Sequence, residues 1–175
     1  MQRERKCSGL SLTLVALAGT CLLAGREARA DGEDWQSRAP HIQTDPTVQT
    51  ALRFATSKLS NARCQELFVD FQDLSGRSLA TKLETLGETP SSYLTLIQFY
   101  DAGEEGPCRP HRFAVTIPGS HVVYLCGPRF RKCVRQSPGR AAAILIHEEL
   151  HSLGLGENPP SSAEITDRVL NRCGP

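Results

Sequence analysis

Several things are scarce in this 175-residue chain. No C-x-x-C pair occurs, which argues against thiol redox chemistry and cysteine-based zinc clusters. There is no internal repeat and no low-complexity tract, so repeat arrays and compositionally biased linkers are excluded. Apolar runs are short. The longest, Leu10 to Leu23, falls below the ~20 residues a membrane-spanning helix needs. Positive charge is not in excess, with 20 Lys and Arg against 19 Asp and Glu. Capture of nucleic acid or of an anionic membrane needs a concentrated positive face, and neither is expected.

What is present begins with an export signal. Arg3, Arg5 and Lys6 form a basic segment, Leu10 to Leu23 an apolar one, and Ala28-Arg29-Ala30 a small-residue cleavage site, the layout of a secretory signal peptide. Cleavage after Ala30 removes five of the 20 basic and two of the 19 acidic residues, leaving 15 against 17 and a net charge of −2. The organisation read from this is a signal peptide over 1–30, a loose leader over 31–43 and a single domain over 44–175. The mature protein is expected to be secreted or periplasmic, to stay off the membrane and to be a monomer.

Five cysteines remain after cleavage: Cys64, Cys108, Cys126, Cys133 and Cys173. An oxidising compartment favours two bridges and one leftover thiol. Cys126 with Cys133 closes a short loop and is the preferred pair. Cys173 is expected to tie the C-terminus to Cys64 or Cys108. The basic run Arg129, Arg131, Lys132 and Arg135 is short and reads as a solvated loop, not as a binding patch.

Asp45-Pro46 reads as a helix start, with Asp capping and Pro at the first helical position. Helical spacing continues through Val48, Leu52, Ala55 and Leu59. A second helical stretch carries Leu67, Phe68 and Phe71 to Ser75-Gly76, and a third runs from Leu79 to Leu86 before Gly87. Tyr93 to Tyr100 is rich in aromatic and β-branched residues and predicts a strand. Phe113 to Ile117 and His121 to Leu125, joined by Pro118-Gly119-Ser120, predict a hairpin. Ser137-Pro138 opens a helix whose Ala141 to Ile146 segment is apolar nearly all round, and therefore buried.

That helix carries His147-Glu148-Glu149-Leu150-His151. Two histidines four residues apart project from one helical face, so both imidazoles can reach one Zn²⁺ at ~2.0–2.1 Å. Glu148 leans toward that face, where a carboxylate can take a proton from a metal-activated water. Glu149 points elsewhere and reads as a bystander. His41 and His121 read as surface residues, and Trp35 as the plug of an apolar notch.

His147-Glu148-x-x-His151-x-x-Gly154 resembles the active-site helix of the zincin metallopeptidases, and HSLGLGE is close to the metzincin form, in which a third histidine stands where this chain has Glu157. The resemblance covers roughly residues 92–167. It implies an α+β zincin-like fold: N-terminal helices, a small mostly antiparallel sheet, the buried motif helix and a short C-terminal helix. It also implies an edge strand lining the cleft, assigned to Val122–Leu125. The only methionine is Met1, so a methionine turn beneath the metal is absent, as in a variant nearer the gluzincins or aspzincins. Arg168, Asn158, Tyr100 and Tyr124 are the candidates for stabilising an oxyanion.

A catalytic zinc takes three protein ligands and keeps one open position. Glu157 follows Gly154 and Gly156, which let the chain turn back toward the metal, and is the preferred third ligand. Glu164 is the alternative, although Ser161-x-x-Glu164 also reads as a capping box. The expectation is a zinc peptidase with Glu148 as general base, His147, His151 and Glu157 on the metal, and a peptide or protein as substrate. The alternative is a zincin-like module that binds metal or protein and catalyses nothing.

Overall fold

The computed structural model describes residues 34–104, 106–108 and 110–174; the signal peptide read in 1–30 lies outside them. Chain order runs α1 (Asp34–Arg38), α2 (Pro46–Leu59), α3 (Ala62–Gln65), α4 (Leu67–Asp70), α5 (Leu79–Leu86) and α6 (Pro90–Leu96). The strands β1 (Gln98–Asp101), β2 (Ala114–Thr116) and β3 (Val122–Leu125) follow, and then α7 (Gly127–Gln136), α8 (Pro138–Ser152) and α9 (Ser162–Cys173). The class is α+β.

Local chemistry explains most helix ends. Asp45 accepts from the amides of Thr47 and Val48 at the start of α2. Ser78 caps α5, and Gly87, at φ 70°, ends it in the left-handed conformation that favours glycine. Ser161 and Glu164 close a reciprocal capping box on α9. The stretch read as one helix up to Ser75-Gly76 is instead two single turns, α3 and α4. Phe71 breaks it by turning extended, at φ −112° and ψ 153°.

The strand read over Tyr93 to Tyr100 begins only at Gln98. Thr89 and Ser92 form a capping box, Pro90 sits in the first turn, and the chain is helical through Leu96 with Tyr93 and Leu94 buried. Capping and burial outweigh the β preference of individual side chains. The sheet is therefore mixed, not mostly antiparallel: in the order β1-β3-β2, β1 runs parallel to β3 and β2 antiparallel to it. The β2–β3 hairpin forms as expected. However, β3 is the central strand and β2 is an edge. Residues 40–42, read as loose, are stitched to the outer side of β1 by Ile42 N–H to Phe99 O and Asp101 N–H to Pro40 O, each 2.9 Å. Trp35 packs edge-on against Tyr124.

The cysteines pair as Cys64–Cys173 and Cys108–Cys126, leaving Cys133 as a buried free thiol. The expected Cys126–Cys133 bridge does not form because the segment between them is the helix α7, not a loop. Its N-terminus is capped from a distance. The Asp101 carboxylate accepts from Gly127 N–H and from Gly103 N–H, and pairs with Arg131 at 2.7 Å. Arg131 also reaches Asp45, and Arg129 donates to the Arg112 carbonyl, so the basic run is partly consumed in holding elements together.

The core lies between α8 and its neighbours α2, α7 and α9 on one side and the inner face of the sheet on the other. Ala141 and Ala142 let α8 sit close to its neighbours, while Leu145, Ile146 and Leu150 fill the interior. No helix among the described residues is long and apolar enough to cross a membrane.

Candidate metal centre

Ser137 caps α8 through Arg140 N–H, Pro138 occupies the first turn, and the helix delivers His147 and His151 to one face. Their Nε2 atoms lie 3.0 Å apart. Beyond Leu153 the chain reverses at Gly154, φ 108°, with Gly154 N–H bonded to His151 O and Leu155 N–H to Leu150 O. A Cβ at Gly154 would be strained by that φ and would press on Asp73 at 3.2 Å. A Cβ at Gly156 would come within 2.5 Å of Leu74. Both glycines thus let the turn lie against the 73–74 loop, where Leu74 N–H also binds Gly154 O.

The reversal brings Glu157 back. Its Oε1 is 3.3 Å from His151 Nε2 and 3.9 Å from His147 Nε2, and one ligand atom from each of the three residues lies within 4.8 Å of the others. Glu164 is not brought there. Its Oε2 accepts from both the amide and the hydroxyl of Ser161, each at 2.7 Å.

The protons around these groups favour a cation. His151 Nδ1 is 2.7 Å from the Leu155 carbonyl, which only accepts, so Nδ1 carries the hydrogen and Nε2 of the neutral ring presents a lone pair. That lone pair faces a carboxylate oxygen and a second ring nitrogen. His147 Nδ1 meets the Thr166 hydroxyl at 3.0 Å. Burial, reinforced by His151, pushes the His147 pKa down to about 3, which keeps the ring neutral. Ligands on a tetrahedral zinc at ~2.05 Å stand about 3.3 Å from one another. The three donor atoms are close to that spacing, and their chemistry fits zinc.

Glu148 is buried beside them, and burial raises its pKa, with His151 and a hydrogen bond from Thr116 acting against the rise. Thr116 Oγ1, on β2, donates to Glu148 Oε2 at 2.8 Å. Glu149 is also fully buried, and among the described residues neither oxygen has a hydrogen-bond partner. Desolvation drives its pKa well above the ordinary value, so it is held as the neutral acid. Next to it, Tyr93 OH meets Ser152 Oγ at 3.1 Å.

No family model, curated protein or solved structure matches this chain.

The remaining candidates divide by face. Tyr100 and Tyr124 are paired across β1 and β3, one register step from Val123, so they project away from the face on which Thr116 meets Glu148. They pack instead against His41 and Trp35. Arg168 and Asn158 line the same groove of about 540 Å³ as Glu157. His41 and His121 are exposed, and His121 packs on the Tyr93 ring. The side chain that reaches His147 Nδ1 is that of Thr166. Thr116, Thr166 and the Leu155 carbonyl were not singled out from sequence, because a threonine in a strand or helix and a backbone oxygen carry no local mark of a distant partner.

Proposed function

We propose that the protein is an exported zinc-dependent peptidase of zincin type, with His147, His151 and Glu157 holding the metal and Glu148 as general base. The observation that carries this reading is the convergence of three acceptor atoms, two imidazole nitrogens and a carboxylate oxygen, beside a buried glutamate. The zincin assignment is further supported by β2, an edge strand antiparallel to its neighbour and bonded to the motif helix through Thr116, with Gly119 in the following turn donating to the His151 carbonyl. No described strand covers its outer side, so an extended peptide can add there. Two disulfides among the described residues accord with an oxidising compartment.

When bound, zinc polarises the scissile carbonyl and lowers the pKa of the attacking water. The residues do the rest. The Thr166 and Leu155 contacts fix the two imidazole planes, which sets the ligand direction. Glu148, with a pKa raised by burial, accepts the proton of the attacking water on a carboxylate oxygen and passes it to the leaving amine. Thr116 holds Oε2, leaving Oε1 for that proton.

The second reading is a metal- or protein-binding module of the same shape without catalysis. It draws on the same hydrogen bond, since a glutamate held by Thr116 also has a structural reason to be there. Hydrolysis of a mixed peptide library by the zinc-loaded protein separates the two, with Glu148→Ala run at equal zinc content. We expect cleavage by the wild type and a loss of about a thousandfold in the variant. Silence from both at full zinc occupancy would remove the peptidase reading and leave the binding module.

A further inference from the structure

We infer that the groove beside Glu157 is a subsite for a carboxylate of the substrate, with Arg168 as its specificity-determining residue. This rests on the peptidase reading above. The groove encloses about 540 Å³ and is walled by Phe71, Leu74, Leu155, Asn158 and Arg168, with Glu157 contributing to the same lining. A peptide whose scissile carbonyl reaches the His147, His151 and Glu157 cluster therefore has this groove open beside it. The volume suits a whole residue.

The charges lining the groove are already committed, with one exception. Asp70 pairs with Arg172 at 2.8 Å. Asp73 pairs with Arg77 at 3.1 Å and also accepts from Ser75 and from the Ser75 and Arg77 amides. Glu157 faces the two histidines. Arg168 has no ion pair among the described residues. It acts electrostatically on Glu164, one turn earlier on α9, whose carboxylate is occupied by Ser161.

The guanidinium of Arg168 lies over the Phe71 ring, 5.0 Å from its centroid. Phe71 is only 5% exposed, so this wall is fixed. A guanidinium held over a ring face keeps N–H donors available, and its planar fork can take a carboxylate through two parallel hydrogen bonds. Leu74, three residues after Phe71 in the same loop and 78% exposed, offers an apolar contact for the methylenes leading to that carboxylate. An acidic side chain and the C-terminal carboxylate of a short peptide share this chemistry.

The test is cleavage by the zinc-loaded protein of a peptide library holding every residue type at each position, made with free and with amidated C-termini. Wild type, Arg168→Gln and Arg168→Glu are compared. We expect Asp or Glu at one position near the cut to be preferred about fivefold over the matching amide, the upper range for an exposed ion pair. The preference should vanish in Arg168→Gln and turn toward Lys or Arg in Arg168→Glu. If the chain terminus is the ligand, the same dependence on Arg168 appears as a requirement for a free C-terminus at a fixed distance from the cut. Cleavage with no acidic or terminal preference, or a preference that survives Arg168→Glu, overturns the subsite and leaves the peptidase standing. No cleavage at full zinc occupancy overturns both.

Discussion

From Ala141 to Ile146, α8 is held as a core helix, by alanine and leucine packing against α2 and α7. From His147 to Ser152 it is just as buried, yet most of its side chains are polar and are held by partners from other segments. Thr116 comes from β2, Thr166 from α9 and Tyr93 from α6, while Gly119 supplies a backbone donor to the His151 carbonyl in its last turn. The difference is instructive. Apolar burial is non-directional and tolerates exchange of like for like, whereas buried polar groups need a particular donor or acceptor in place. Glu149 stands out in the second half because it has none.

Removing packing from the first half should cost the most stability and the least chemistry. Leu145→Ala is expected to lower unfolding stability by about 2–5 kcal/mol, read from urea transitions. The zinc content of the folded protein should stay unchanged. A loss of zinc from the folded fraction would show that the two halves are not independent.

Removing a polar partner from the second half should do the reverse. Thr116→Val leaves Glu148 Oε2 unpaired and mispositioned, and we expect kcat to fall about tenfold with KM and zinc content near wild type. Thr116→Ser, which restores the hydroxyl, should recover most of the rate. Equal rates in Val and Ser variants would mean the hydroxyl plays no part.

The third effect runs in the opposite direction. Glu149→Leu replaces a buried, unpartnered acid by an apolar group of similar size and should stabilise the protein by about 1–3 kcal/mol at pH 7. The sign with pH follows from the raised folded-state value. In the wild type the unfolded chain ionises near 4.5 while the folded one does not, so stability is highest below that pH and falls as pH rises toward the folded-state pKa. Glu149→Leu should lack that decline. A parallel pH profile in the two proteins would indicate that Glu149 has a partner in solution.

The elements that were readable from sequence are those whose signals sit within a few residues. Asp45-Pro46, Ser137-Pro138, Ser161-x-x-Glu164 and Leu86-Gly87 each mark a helix end by local hydrogen bonding or backbone freedom, and each marks one in the structure. Misreadings arose where a distant group intervened. The helix α7 takes its cap from Asp101, 26 residues away, and Cys126 finds Cys108 instead of its nearer neighbour Cys133. The helical Tyr93 segment was obscured by its aromatic and β-branched content, although Thr89-Pro90 just ahead of it was the better guide.

For the candidate site, the spacing of His147 and His151 on a helix was a property of the sequence, because a 3.6-residue period puts positions four apart on one face whatever surrounds them. The glycines that permit the reversal toward Glu157 were legible too, because a residue without a Cβ admits a sharp turn. Only the tertiary structure decided which carboxylate approaches the histidines and which is spent on a cap. It also decided that Thr116 and Thr166 meet Glu148 and His147, and that Glu149 is sealed from water. Those outcomes depend on how helix, strand and loop pack together, and contacts between residues far apart in the chain leave no periodic trace in a single sequence.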